Sequence, residues 1–384
     1  MSRIRNASKT PALPWIPRWM LAVAALLAAV SFPLLPEYGV IETVWIRVGT
    51  RALVYVLLAV GLNLIMGETG MLNLGYIAFF AIGAYTTALF SSPRFGFEVP
   101  FWPLLAMSAG LAMLAGYLVG LPSLRLRGDY LAIVTLAFGE VTRYTFNNWE
   151  SVTNGPGGIP GIYRPTVFGY LVERPIEFYY LILAFVVLAV LVVANLKNSR
   201  VGRAWNALRE DEVAAEAAGI HGMRAKMVAL VISAAIAGVA GSLFAYYQQF
   251  INPTYFVFMQ SVIIVCMIVL GGMGSIPGAV LGAVVLDSLP EFARQSFSSW
   301  LPAIFGRDFM ASWPDYLRSF FLDFDQYRML VVGLVIVAMV IFRPEGLIPD
   351  ALWRREVHQE DPREQEHTLQ TLFDIEEGKQ DLEV

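Results

Sequence analysis

The uncharged run from Tyr179 to Leu196 is the feature that most restricts what this chain can fold into. A helix crosses the hydrocarbon of a bilayer with roughly 20 mostly apolar residues, and this run fits that requirement. Nine further stretches fit it too: 19–35, 47–66, 71–90, 101–121, 129–147, 226–247, 256–271, 276–292 and 327–342. Only 15% of the residues are charged and 57% are apolar. A soluble domain carries about 25% charged residues, so the charge here is too sparse to cover a soluble surface. The expected fold class is all-α: a polytopic membrane protein of about ten transmembrane helices, some of them discontinuous. Two stretches are weak. The 129–147 stretch contains Glu140 and Arg143, and 276–292 is interrupted by Pro277 and Pro290, so either could be re-entrant. The single cysteine, Cys266, excludes a disulfide scaffold.

Lys and Arg in short loops mark the cytoplasmic side. They gather in the N-terminal segment (Arg3, Arg5, Lys9, Arg18), in the loop 122–128 (Arg125, Arg127) and in 197–226, which holds Lys197, Arg200, Arg203, Arg209, Arg224 and Lys226. Ten spans with a cytoplasmic N-terminus place all three segments inside, together with the tail that starts at Arg343. The net charge of −4 conceals a division, because the tail from Arg343 onward holds five basic and twelve acidic residues. The body is therefore mildly basic. The expected organisation is a cytoplasmic segment 1–18, a permease domain 19–342, and an acidic, disordered cytoplasmic tail 343–384. The first apolar stretch continues through Phe32–Leu35, which favours an uncleaved span over a signal peptide.

Several chemistries have no support. No phosphate-cradling G-x-x-x-x-G-K-[ST] loop is present. The three histidines, His221, His358 and His367, fall in a loop and the tail, and with one cysteine they offer no metal site. No G-x-S-x-G elbow occurs, and the basic residues form no stripe for nucleic acid. Neither a cofactor nor catalysis is expected of this chain. Passage of a solute through the membrane is.

The cytoplasmic stretch Arg203–Gly219 is rich in Ala and Glu, both strong helix formers, and Gly219 is placed to stop a helix at C′. A single helix over 203–219 is expected, with Ala214, Ala215 and Ala218 forming a narrow surface beside the acids Glu210, Asp211, Glu212 and Glu216. Anionic headgroups repel such acids, so this helix suits docking to a protein better than lying on lipid. Within the spans, Asn63, Asn73, Thr135, Glu140 and Arg143 are the polar candidates. Glu140 and Arg143 can pair three apart on one helix face. Asp287 reads as a lone acid near a water-filled opening. Ala234, Ala237, Gly238, Ala240 and Gly241 read as a helix-packing interface.

The Ala214-Ala215-x-x-x-Gly219 spacing resembles the coupling loop of ABC importer permeases, with Val213 where that pattern has Glu and the acid one place earlier at Glu212. Longer motifs are similar to the LivM-type permease of high-affinity branched-chain amino acid ABC transporters. They are Leu124-Arg-Leu-Arg-Gly-Asp-Tyr-Leu-Ala-Ile-Val-Thr-Leu136, Gly202-Arg-Ala-Trp-Asn-Ala-Leu-Arg-Glu-Asp-Glu212, Ala237-Gly-Val-Ala-Gly-Ser-Leu-Phe-Ala245, Val269-Leu-Gly-Gly-Met-Gly-Ser-Ile-Pro-Gly278 and Phe342-Arg-Pro-Glu-Gly-Leu347. The resemblance spans roughly 40–348.

That resemblance implies a contact with an ATPase through Arg209, Glu210, Asp211, Glu212, Ala214, Ala215 and Gly219. It also implies hinges at Gly67-Glu-Thr-Gly70 and Gly271-Gly-Met-Gly274 near a translocation path that includes Asn63, Asn73, Thr135 and Glu140. The implied partners are a second, LivH-like permease subunit, two ABC ATPase subunits, an external solute-binding protein and a small amino-acid solute in a lipid bilayer. A urea or short-amide permease and an ion-coupled secondary transporter are the alternatives.

Overall fold

The computed structural model describes residues 18–33, 44–126, 128–305 and scattered positions between 333 and 348. The N-terminal segment, the acidic tail and most of the 327–342 stretch lie outside these. The helices are α1 (Arg18–Ser31), α2 (Val44–Thr69), α3 (Tyr76–Phe90), α4 (Phe101–Ser123), α5 (Asp129–Asn148), the short α6 (Glu150–Thr153), α7 (Pro175–Lys197), α8 (Arg200–Glu210), α9 (Glu212–Ala217), α10 (Gly222–Gln248), α11 (Phe258–Gly271) and α12 (Ile276–Phe305). Four two-residue strands, β1 (Ile159–Pro160), β2 (Thr166–Val167), β3 (Tyr170–Leu171) and β4 (Phe250–Ile251), form the pairs β1–β4 and β2–β3.

The chain is a multi-pass, all-α membrane protein, but the expected ten spans are not all found as separate long helices. Among the described residues, α2, α4, α7 and α10 are long and apolar enough to cross a membrane, and α3 and α11 are shorter apolar helices. The third stretch loses its first turn because residues 70–75 leave the helix. Proline did not break α12, which passes Pro290 and runs to Phe305. Pro277 sits in its first turn, where no helical N–H is lost.

Burial ranks the helices. The apolar window of α2 is 83% buried, whereas that of α4 is only 33% buried. The first is the central post of the bundle and the second lies at its edge, with Leu111, Leu114, Tyr117 and Leu118 exposed.

Helices gain no hydrophobic stabilisation from one another in lipid, so close packing through small residues must hold them. The contact of α10 with α3 and α4 shows this. Ala234, Ala237 and Ala240 are fully buried, and a Cβ added at Gly238 would lie 2.6 Å from the Ala112 Cβ. One added at Gly83 would collide with the Gly238 carbonyl. Hydroxyls complete the seam: Thr87 Oγ1 donates to Ser242 Oγ at 2.7 Å and lies 3.2 Å from Ser108 Oγ. Gly83→Ala is therefore expected to destabilise the permease by about 2–3 kcal/mol. Gly110→Ala, whose added Cβ meets nothing within 4 Å, leaves stability unchanged or slightly raised. Thermal unfolding of the two variants in detergent checks the contrast.

The loops sort to opposite ends. At one end, Ile159 pairs with Ile251, Tyr163 N donates to the Ser91 carbonyl, and Asn252 reaches the Pro156 carbonyl at 2.7 Å. There Tyr170 donates to Glu177 at 2.8 Å, which raises its phenol above the ordinary value. At the other end the end of α2 and the turns 70–75 and 271–275 meet the connection between α7 and α10.

Candidate functional site

The stretch expected as a single helix over 203–219 is two helices with an elbow at Asp211. Ser199 caps α8 by accepting from Val201 N and Gly202 N. Asp211 is extended (φ −156°, ψ 112°) and caps α9, its carboxylate accepting from Val213 N at 2.8 Å and Ala214 N at 3.0 Å. An Asp in such a run prefers to cap rather than continue a helix, which is why a strong average propensity did not give one rod. Gly219 stops α9 as expected, at φ 88°. Gly219 N bonds to Glu216 O and Ile220 N to Ala215 O, each at 3.0 Å, closing a Schellman turn.

The elbow is fastened to the bundle on its inner side. Trp205 is fully buried and its Nε1 donates to Ala225 O at 2.8 Å. Glu212 pairs with Lys226 at 2.7 Å. Ala215 is buried rather than presented for contact. Glu210, Asp211, Val213, Ala214 and Gly219 form the exposed side. Arg209 points inward and donates from Nη1 to the carbonyl of Gly67, at the end of α2.

That contact joins the elbow to a polar core. Asn63, 1% exposed, accepts from Gly274 N at 3.0 Å. Gly67 lies so close to the 271–275 turn that a Cβ there would sit 2.5 Å from Gly274 N and 2.7 Å from its Cα. Lys197, at the end of α7, donates to Gly274 O at 2.6 Å and pairs with the buried Glu68 at 2.7 Å. Gly271 packs on Gly278 of α12, and its carbonyl accepts from Ile348 N at 2.9 Å. Gly70, at φ 70°, faces the Arg209 stem. Asn63, Gly67, Gly70, Gly271, Gly274 and Arg209 thus share one region. Glu68 and Lys197 belong to it too and were missed. Glu68 stands inside the Gly67–Gly70 motif but reads there as a turn residue, and Lys197 as a topology marker only.

Asn73 and Thr135 form a second cluster. Thr135 Oγ1 accepts from Leu74 N at 3.1 Å and Asn73 Oδ1 from Gly75 N at 3.0 Å. These side chains satisfy backbone N–H groups freed where the chain leaves the helix between α2 and α3, as irregular backbone inside a membrane protein requires. Glu140 and Arg143 pair with each other at 2.8 Å on α5. Asp287 is not a lone acid at an opening. It is 2% exposed and pairs at 3.0 Å with Arg51 of α2, a partner 236 positions away. No group of three or more His, Cys, Asp or Glu side chains that could hold a metal occurs among the described residues.

Comparison with known proteins agrees with this architecture. Residues 45–340 match the family described as branched-chain amino acid transport system / permease component. The high-affinity branched-chain amino acid transport system permease protein LivM of Escherichia coli is 38% identical over 86% of this chain and 75% of its own length. The probable LivM of Methanocaldococcus jannaschii is 27% identical over 71% of this chain and 74% of its own. The LivH permease of Escherichia coli is 27% identical over 76% of this chain and 92% of its own. No solved structure matches. These relatives are permease components of transport systems rather than enzymes. A multi-pass helical chain matched along 45–340 by that family, and by LivM at this identity, belongs to the branched-chain amino acid transport system permease family.

Proposed function

We propose that the chain is one half of the membrane channel of an ATP-driven ABC importer that carries leucine, isoleucine or valine across the inner membrane by alternating access. It pairs with a LivH-like permease and receives solute from an external binding protein. Of the two ATPase subunits, one docks on the exposed side of this chain's α8–α9 elbow through Glu210, Asp211, Val213 and Ala214. Both termini, the elbow and the glycine turns face the cytoplasm, in keeping with the Lys and Arg bias of these segments.

The observation that carries this reading is the Arg209 bond to the Gly67 carbonyl. Through it, a force on the elbow reaches the end of the buried post α2 and, one contact further, the 271–275 turn between α11 and α12. Packed elements with two arrangements transmit such small displacements.

The structure also selects the test. Ala215→Asp would bury a carboxylate, so failure there would report misfolding. Ala214 is exposed, and Ala214→Asp places an unpaired charge on the docking side only. Uptake of labelled leucine by cells is expected to fall at least about tenfold, with membrane levels of the protein unchanged. Native uptake by this variant would overturn the docking assignment.

A further inference from the structure

The end of the bundle opposite the elbow holds a cavity that neither the fold nor the coupling region requires. It has a volume of about 280 Å³ and lies between the starts of α2 and α7, the end of α10 and the 161–174 loop; Arg47, Arg164, Glu173, Phe178, Tyr247 and Gln249 line it. That volume falls just below the roughly 300–1,000 Å³ of drug-sized ligand pockets, as suits a smaller solute.

Its lining is of three kinds. Arg47 and Arg164 supply guanidinium donors, the groups best matched to a carboxylate. Glu173 supplies an acceptor for an ammonium. Phe178 and Tyr247 meet edge to face with ring centroids 5.9 Å apart and supply an apolar wall. The Arg164–Glu173 separation of 3.7 Å is looser than a hydrogen bond, and both side chains are about half exposed. Such a pair contributes little to stability by itself, and a zwitterion can take its place by offering each partner its own counter-charge.

The cavity is also preformed. Gln249 is one of the few non-glycine residues with positive φ among the described residues, at 55°. Its carbonyl accepts from Gly161 N at 3.1 Å and Ile162 N at 3.3 Å. These bonds tie the end of α10 to the loop that carries Arg164, so two walls are fixed relative to each other.

We infer that this cavity is an outer receiving site for a free α-amino acid, its carboxylate on Arg164 and Arg47, its ammonium on Glu173 and its aliphatic side chain against Phe178 and Tyr247. A flat docking face for the external protein would need charge but not concavity or an aromatic wall. The inference rests on the proposed solute class.

Membrane vesicles containing the assembled transporter, without external binding protein, provide the test. Saturable binding of labelled leucine is expected. It should weaken about tenfold in Arg164→Gln and in Glu173→Gln. Leucine amide, lacking the carboxylate, and the α-keto acid, lacking the ammonium, should compete at least about tenfold less well than leucine. Both mutated side chains are exposed, and membrane levels verify that each variant folds. Absence of saturable binding, or equal binding by both variants, overturns the inference. If instead the variants bind leucine normally but need more external binding protein for uptake, the cavity is a protein-docking surface and the inference also fails. Leucine uptake by native cells is measured alongside: its absence refutes the proposed solute, whereas native uptake with unaltered binding in the variants refutes the cavity alone.

Discussion

Gly67→Val is expected to reduce uptake about a hundredfold while the protein still reaches the membrane. The side chain would enter the space now closed by Gly274, where even a Cβ lies 2.5 Å from a backbone nitrogen. The Gly274 atoms are backbone and cannot yield by a side-chain rotation, and Gly274 itself holds a positive φ of 81°. Asn63 Oδ1, which the added Cβ would also meet, could turn away only by giving up its bond to Gly274 N. Accommodating valine must separate the end of α2 from the 271–275 turn, which also breaks the Asn63 bond to Gly274 N. Overpacking of this kind costs about 3 kcal/mol, equivalent to a factor of about 100 in an equilibrium constant. Initial rates of leucine uptake, normalised to membrane protein, measure the effect. Gly110→Val, whose added Cβ would meet nothing within 4 Å among the described residues, is the control and should transport normally. Uptake by Gly67→Val within twofold of native would show that this contact does not govern transport.

The second large effect concerns the buried ion pair. Lys197→Met removes the 2.7 Å ion pair that Lys197 makes with the Glu68 carboxylate, 2% exposed. Removing one partner of a buried pair costs about 3 kcal/mol or more, because the remaining buried charge loses a counter-charge. The lower figure applies here, since Lys197 is 24% exposed. A clear fall in the thermal midpoint of the purified transporter in detergent is expected for Lys197→Met. In the double variant Glu68→Gln/Lys197→Met, most of that loss is expected to return, because replacing both partners removes the buried carboxylate charge together with its ammonium. The bond from Lys197 to Gly274 O stays lost in the double variant, so recovery should be incomplete and uptake should remain low. Additive losses in the two single variants would show that the pair is not coupled.

These two tests bear on the same junction, which was only half visible in the amino-acid order. Asn63, Gly67, Gly70 and Gly274 stand out as polar or glycine interruptions of apolar runs, a pattern that any reading of spans detects. Glu68 and Lys197 do not, because each sits at the edge of a span where a charge is ordinary. Their significance comes from burial and from each other. The same holds for Asp287, whose partner Arg51 belongs to another helix. The single helix expected over 203–219 failed for a local reason. Helix propensity averaged over the stretch outweighed one residue, Asp211, whose carboxylate caps the backbone that follows it.

The proposed coupling contact changes character as well. An expected surface of three alanines becomes an elbow with an inner and an outer side. Ala215 and Trp205 hold it to the bundle, Arg209 reaches the end of α2, and Val213 and Ala214 remain available. This division is what makes Ala214 a clean position for substitution and Ala215 a poor one.

The sequence by itself determined that the chain is helical and membrane-embedded, which loops lie together at each end, and where the glycine breaks fall. Those properties follow from hydropathy, charge and the special residues along a single stretch of chain, so they are local and can be read locally. Only the tertiary structure decided which break meets which, that Arg209 bonds the Gly67 carbonyl, and that Glu68 and Asp287 have cations from distant helices. It also decided that Arg47, Arg164, Glu173 and Tyr247 line one open cavity. Such pairings depend on how helices cross, and in a bilayer that is set by the close approach of small residues and by the need to satisfy every buried polar group. Both are properties of surfaces brought together from far apart in the chain.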